Sequence, residues 1–353
     1  MLGNRIQRAR KALGFSLRDL GEKISFSHAA IKKYEDNKVT PSSDVLIKLA
    51  QALHVKVEYF FRPERFILEN IQYRKHTDMS KHQVEEMIAK ILDQIERRIE
   101  LEQVFPHPPI YSFAVCNLPK VIKDIEAIET LADDIRHQWQ LGLSPLPDLI
   151  DLLEERGIKI FKIDSEQYPK MDGFYAEINK MPVIVVGNQR PGDRQRFTLA
   201  HELGHFLLDN RLASHLNIEK ACNRFAGAFL LPKKSLISIL GKHRHSIEPR
   251  ELSVLKQEYG ISMTAILHRA EEAGVISTSL YRQLRSEFNE HGWSKQEPGK
   301  PYLERKSHVF EQMVFHALAE DYIGESKAAE LMNMSLESFR SFRMMENQHV
   351  DHQ

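Results

Sequence analysis

Residues 196–208 read RFTLAHELGHFLL and set His201 and His205 four positions apart, with Glu202 beside the first. On an α-helix a step of four advances the chain by about 400°, so both imidazoles project from one face, a turn apart, and can grip one metal ion. Glu202 lies next to that face, where a carboxylate can take a proton from water acidified by the ion and pass it to a leaving amine. That is the chemistry of metal-assisted peptide hydrolysis. A motif this short also arises by chance in a chain with 17 histidines, so its surroundings must decide.

A catalytic metal site needs a third protein ligand and an open position. The next helical stretch, IEKACNRFAGAFLLP, spaces Glu219, Cys222, Ala226 and Phe229 along one side. Glu219 is the expected third ligand, in a His, His, Glu set holding Zn2+. Cys222, one turn on, is expected to pack as a small residue between helices rather than to bind the ion. Tyr175, His243 and His245 have side chains able to stabilise an oxyanion, and Arg194 and Arg196 stand at the start of the motif helix. Residue type alone assigns none of these five. The segment GFYAEI can serve as core or as a sheet edge that holds an extended substrate by its backbone.

The elements that must position these residues are legible from periodicity. Helices are predicted over KVIKDIEAIETLADDIRHQWQL and LPDLIDLLEERG, then strands IKIFKI, GFYAEI and MPVIVVG, then the motif helix and further helices over 217–231, 234–240, 249–258 and 262–272. This is an α+β layout with a small sheet. Before it, HQVEEMIAKILDQIERRIE places Val84, Ile88, Ile91, Ile95 and Ile99 on a heptad-like stripe, which suits packing against a neighbouring domain as well as pairing with a second chain. After Pro298 and Pro301 a helical tail runs from about Leu303 to Met345.

The first 66 residues carry a different chemistry. They hold 13 Lys/Arg against 7 Asp/Glu, whereas residues 301–353 hold 5 against 9 and the whole chain is neutral. The basic end therefore points to a polyanionic partner. It reads as five short helices, NRIQRARKALG, SLRDLGEKI, SHAAIKKYEDNK, SSDVLIKLAQAL and VEYFF. Ser16 and Asp19 have capping-box spacing, and Ser27 can cap the third helix. Ile6, Leu13, Leu17, Leu20, Ile31, Val45, Leu49 and Leu53 fall at helical spacing for one core.

A helix, a tight turn and a basic second helix can lay side chains in a major groove. The stretch SLRDLGEKISFSHAAIKKYEDNKVTPSSDVLIKLAQALHV resembles the lambda-repressor and Cro-like (XRE) helix-turn-helix family. The resemblance implies that His28, Ala29, Lys32 and Lys33 face base edges, with Asn37 and Lys38 better placed for phosphates. It also makes Arg10 and Glu35 an internal salt bridge. At the other end, FTLAHELGHFLLD followed by IEKACNRFAGAFLLP resembles the ImmA/IrrE-type zinc metallopeptidases. LADDIRHQWQLGLSPLPDLIDLLEERGIKIF and DGFYAEINKMPVIVVGNQR extend the likeness over about residues 118–275. That family implies a zincin-like domain and cleavage of a helix-turn-helix repressor.

The expected architecture is mainly α with an α+β domain: a five-helix helix-turn-helix domain over 1–66, a helical connector over 67–117, a metallopeptidase domain over 118–300 and a helical tail over 301–353. The expected partners are a double-stranded DNA operator, a repressor as protein substrate and a second copy of the chain. A non-enzymatic regulator whose metal domain is a sensor is the rival reading, against which Glu202 stands, because a structural site needs ligands but no general base. A protease whose helix-turn-helix domain only recruits a protein is a further rival. No apolar run approaches the ~18 residues of a membrane span. The two cysteines have no C-x-x-C spacing and MLGNRIQRARKALG lacks a signal-peptide apolar region, so a cytoplasmic location is expected.

Overall fold

Serine caps punctuate the N-terminal helices. Ser16 accepts from the Asp19 N–H while the Asp19 carboxylate accepts from the Ser16 N–H, and Ser27 accepts from the Ala30 N–H. These caps start α2 (Leu17–Ile24) and α3 (His28–Glu35), which follow α1 (Leu2–Ala12) and precede α4 (Ser43–Ala52) and a 3-10 turn over Val57–Phe61. The computed structural model describes residues 2–62, 68–69, 79–107, 113, 118–178, 181–303 and 307–345. Cys116, Pro108 and Pro109 lie outside them, as do the ends of the expected connector and tail.

Two compact units form. The first gathers the described parts of 1–67, 76–109 and 308–353. Ile6, Leu20, Ile31, Leu49 and Leu53 share its N-terminal core, as the helical spacing requires, but Leu13 is exposed at the end of α1. The stripe of the connector becomes α5 (Lys81–Val104), begun by a capping box of Ser80 and Gln83. Ile91 and Ile95 are buried, and Leu101 joins a core with α14 (Val309–Ala319), α15 (Glu325–Leu331) and α16 (Leu336–Arg343). The stripe is thus used for packing within the chain. Connector, tail and helix-turn-helix helices share one unit instead of forming three separate segments.

The second unit gathers the described parts of 68–75 and 110–307. Its helices are α6 (Glu126–Gln138), α7 (Leu149–Glu155), α8 (Gly192–Leu208), α9 (Ile218–Leu230), α10 (Lys233–Leu240), α11 (Pro249–Tyr259), α12 (Met263–Glu272) and α13 (Thr278–Glu290). Its sheet has the order β1 (Leu68–Glu69), β3 (Gly173–Ile178), β4 (Met181–Gly187), β2 (Lys159–Ile163). β3 and β4 form an antiparallel hairpin, and β2 lies parallel to β4. The nearly unbroken apolar run Pro182–Val186 is buried, as expected of a strand flanked on both sides. α6 is shorter than its apolar pattern predicts, because Ile122 instead pairs its backbone with Arg211 and Ala213. Among the described residues no helix is long and apolar enough to cross a membrane.

Candidate functional site

α8 and α9 lie against each other over a glycine. A Cβ added at Gly204 would sit 3.3 Å from the Cys222 Cα and 3.2 Å from Phe225 Cδ1, so the helices approach as closely as they do only because the side chain is missing. Cys222 is fully buried at this crossing, in the packing role its size suggests. The close approach faces His201 and His205 of α8 toward Glu219 of α9.

The two Nε2 atoms are 3.1 Å apart, His201 Nε2 is 3.3 Å from Glu219 Oε2, and His205 Nε2 is 3.4 Å from Glu219 Oε1. A tetrahedral ion with bonds of about 2.05 Å places its ligands roughly 3.3 Å apart. The donor triangle therefore already has the edge length of a zinc site. Asn223, one turn beyond Glu219, accepts a hydrogen bond at Oδ1 from His201 Nδ1 at 2.8 Å. With the ring proton held on Nδ1, the Nε2 lone pair faces the cluster, which is the tautomer a metal ligand needs. The donor set and its orientation fit Zn2+. Asn223 stood in the sequence pattern without a role; its part becomes visible only when two helices face each other.

Glu202 is buried, and its carboxylate accepts the Tyr175 backbone N–H of β3. Burial pushes its pKa up to about 8, the Glu219 carboxylate adds to the rise, and the Tyr175 N–H opposes it. A carboxyl that holds a proton near neutrality is suited to moving one, and a nearby dication would pull the value back down. Space for this arrangement again depends on glycine. A Cβ on Gly173 would meet Thr198 Cγ2 at 2.6 Å and the Val185 carbonyl at 2.8 Å, forcing β3 away from α8.

The register with β4 turns the Tyr175 N–H away from that strand, and Glu202 takes it. β1 pairs with β3 only at Ile178 and Glu177, so among the described residues no strand covers the outer side of Gly173–Ala176. The Tyr175 hydroxyl is engaged by Glu177, and burial raises its pKa. Arg196 is a structural tether, bonding the Leu146 carbonyl at 2.7 Å and stacking over Tyr302, while Arg194 pairs with Asp172 at 2.6 Å. His243 and His245 stand exposed between α10 and α11. A cavity of about 740 Å³ opens beside Thr198 and Asn223.

In the other unit, His28, Ala29, Lys32 and Lys33 are all exposed on α3. Lys32 and Lys38 both pair with Asp36, at 2.7 and 3.3 Å. Asn37, in the left-handed region at φ 57°, accepts the Gly3 N–H at 2.8 Å and so ties the end of α3 to the start of α1. Arg10 and Glu35 form the buried pair that the resemblance implies, with Nε–Oε1 at 2.5 Å and Nη2–Oε2 at 3.0 Å.

Comparison with known proteins agrees with both ends. Residues 6–60 match a family described as helix-turn-helix, and residues 153–271 match one described as the IrrE N-terminal-like domain of the M78 peptidases. The radiation response metalloprotease IrrE of Deinococcus deserti is 35% identical over 103 residues, covering 26% of this chain and 36% of that protein. Its counterpart in Deinococcus radiodurans is 32% identical, covering 26% and 31%. The HTH-type transcriptional regulator ImmR of Bacillus subtilis is 24% identical, covering 26% of this chain and 69% of that protein. The chain spans about a third of the length of the two metalloproteases it matches. It joins a helix-turn-helix DNA-binding domain to an IrrE/ImmA-type metallopeptidase-like domain.

Proposed function

We propose that this chain is a transcriptional regulator that binds operator DNA through residues 1–61 and cleaves a helix-turn-helix repressor with a zinc-dependent endopeptidase site. The observation that carries the catalytic half is the donor triangle of His201, His205 and Glu219 with a buried carboxyl, Glu202, next in sequence to His201 and near enough to feel the Glu219 charge. Zn2+ held by those three residues would polarise the scissile carbonyl and acidify water. Glu202 moves the proton from that water to the leaving nitrogen, and its burial keeps the proton from bulk solvent. Asn223 keeps the His201 ring turned to the site. The backbone groups left on the uncovered side of Gly173–Ala176, where Glu202 already takes the Tyr175 N–H, hold an extended peptide, which fits a substrate recognised in unfolded form.

On the DNA side, the basic first unit and the exposed face of α3 support an operator contact whose affinity falls with salt. The acting form is read as a dimer on an inverted repeat. The test of cleavage is to incubate zinc-loaded wild-type protein and its Glu202→Gln form with repressors from the same cell and map fragments by mass spectrometry. Fragments from the wild type alone support the reading. Full zinc content with no cut repressor in any stress extract would return the site to the sensor rival.

A further inference from the structure

The C-terminal helices repeat the N-terminal ones. Adding 308 to a residue number carries α2 and α3 onto α15 and α16 with the same local geometry throughout. Gly21 becomes Ala329, the small residue on which the turn folds back: Phe26 N–H donates to the Gly21 carbonyl at 2.8 Å, and Met334 N–H to that of Ala329 at 2.9 Å. Ser25 and Asn333 both enter the left-handed region, at φ 61° and 55°. Ser27 caps α3 by accepting from Ala30, and Ser335 caps α16 by accepting from Ser338. Ile31 and Phe339, one turn into each second helix, are fully buried. The exits match as well, with Asn37 and Met345 both at φ 57°. Leading into each pair, Ile6 and Ala9 of α1 correspond to Val314 and Ala317 of α14, all buried.

Both repeats are fastened to α5. Glu96 receives Arg5 and Arg8 of α1, each at 2.5 Å, while Arg97 donates to the Leu331 carbonyl at 2.9 Å and Glu100 pairs with Lys327 of α15. The second repeat is therefore part of the same unit as the first, and whatever the first holds, the second meets at high effective concentration.

Where α3 presents His28, Ala29, Lys32 and Lys33, α16 carries Leu336, Glu337, Arg340 and Ser341, with Leu336 packed on the core below. Arg340 stands at the position of Lys32 and is exposed. Glu325, at the start of α15, takes Arg340 Nε at 3.0 Å and Arg343 Nη1 at 2.8 Å, a carboxylate buttress that fixes two guanidinium groups. Glu325 also takes Arg340 Nη2 at 2.9 Å, so the Nε edge of that guanidinium is held and its Nη1 end is the part that can reach an acceptor on a guanine edge. Residues 309–345 set Lys327, Arg340 and Arg343 against Glu311, Glu320, Asp321, Glu325, Glu330 and Glu337, three basic to six acidic, so this repeat lacks the surplus charge of the first. It adds selectivity rather than bulk attraction to phosphates.

We propose that residues 309–345 form a second helix-turn-helix, and that α16 reads double-stranded DNA through Arg340 on the same duplex that α3 engages. This rests on the reading of the first unit as a DNA binder. The experiment selects preferred sites from random duplexes with the full chain, then measures affinity for those duplexes with Arg340→Ala and, separately, Lys33→Ala. Each chain should select two unlike sequence blocks, because the two faces differ in every reading residue. Arg340→Ala should erase the preference in one block and weaken only duplexes containing it, by roughly tenfold or more, with little change in salt slope. Lys33→Ala should blur the other block. One block per chain, untouched by Arg340→Ala, would overturn the second reader and leave α16 as a protein-facing surface. No selection of any DNA would bring down the first reader with it.

Discussion

Replacing Asn223 by alanine isolates the orientation of one metal ligand from everything else in the site. The side chain is exposed, so its removal leaves no buried polar group unsatisfied, and the stability of the metal-free protein should change by no more than about 0.5 kcal/mol. What is lost is the 2.8 Å bond that keeps the His201 proton on Nδ1 and the ring turned toward His205 and Glu219. Removing a partner of this kind from a metal-bound imidazole typically weakens affinity 10–100-fold, about 1.4–2.7 kcal/mol. Asn223→Asp keeps an acceptor and adds charge, so it should bind zinc at least as tightly as the wild type. The assay is a competition titration with a chromophoric chelator at pH 7.5, beside metal stoichiometry and an unfolding curve of each metal-free variant. An unchanged zinc affinity in Asn223→Ala, with His201→Ala losing the ion in the same experiment, would refute the argument that Asn223 sets the tautomer.

Three further outcomes follow from buried charge. Lys256 bridges the carboxylates of Asp193 and Glu297 at 3.0 and 2.8 Å, so Lys256→Met should cost about 3 kcal/mol, chiefly by stranding Asp193, since Glu297 keeps the Met263 and Thr264 N–H groups. Trp139 and Trp293 make fluorescence-detected urea unfolding a readout of this unit. In the first unit Arg10→Met leaves Glu35 buried and should cost a similar amount, seen as accelerated hydrogen exchange in α1 and α3 with the tryptophan transition unmoved. His268 and Glu272 give a pH-dependent test. The hydrogen bond His268 donates to Glu272 holds the His268 pKa above its ordinary value against burial, so His268 stabilises below about pH 6.5 and loses that contribution as pH rises through its folded value. Burial opposes ionisation of Glu272, but His268 and Arg224 outweigh it and lower its pKa, so its contribution holds above about pH 4.5 and fades as pH falls through its folded value. His268→Ala should therefore cost something under 1 kcal/mol near pH 5.5, given its half-exposed ring, and almost nothing near pH 8.5. A larger loss at the alkaline end would reverse the assigned sign.

What could be read without coordinates, and what could not, follows from the range over which each signal acts. His201, Glu202 and His205 lie within one helical turn or so, and helical spacing fixes their directions. Ser16, Ser27 and the apolar spacing of α1–α4 are equally local, and the elements stand where the pattern puts them. Helix α13 leaves little periodic signal because its stripe is thin: only Leu284 and Phe288 are buried among Arg, Gln, Ser and Glu. Asn223 needed α9 to be laid on α8 over Gly204 before its oxygen had a partner. The second helix-turn-helix was hidden for a deeper reason. Between residues 16–37 and 324–345 only Glu22 with Glu330 and Ser27 with Ser335 are identical. The shared constraints are conformational: a small residue under the turn, a left-handed step, a hydroxyl cap and one large buried side chain. Each can be met by several residue types, Gly or Ala, Ser or Asn, Ile or Phe, so the same backbone is specified twice with almost no letters in common. Charge is freer still, since a solvent-facing residue is constrained by its partner and not by the fold. That is why two repeats of one shape carry a basic surplus in one case and an acidic one in the other, and why shape alone leaves their partners to be decided by side chains such as Lys33 and Arg340.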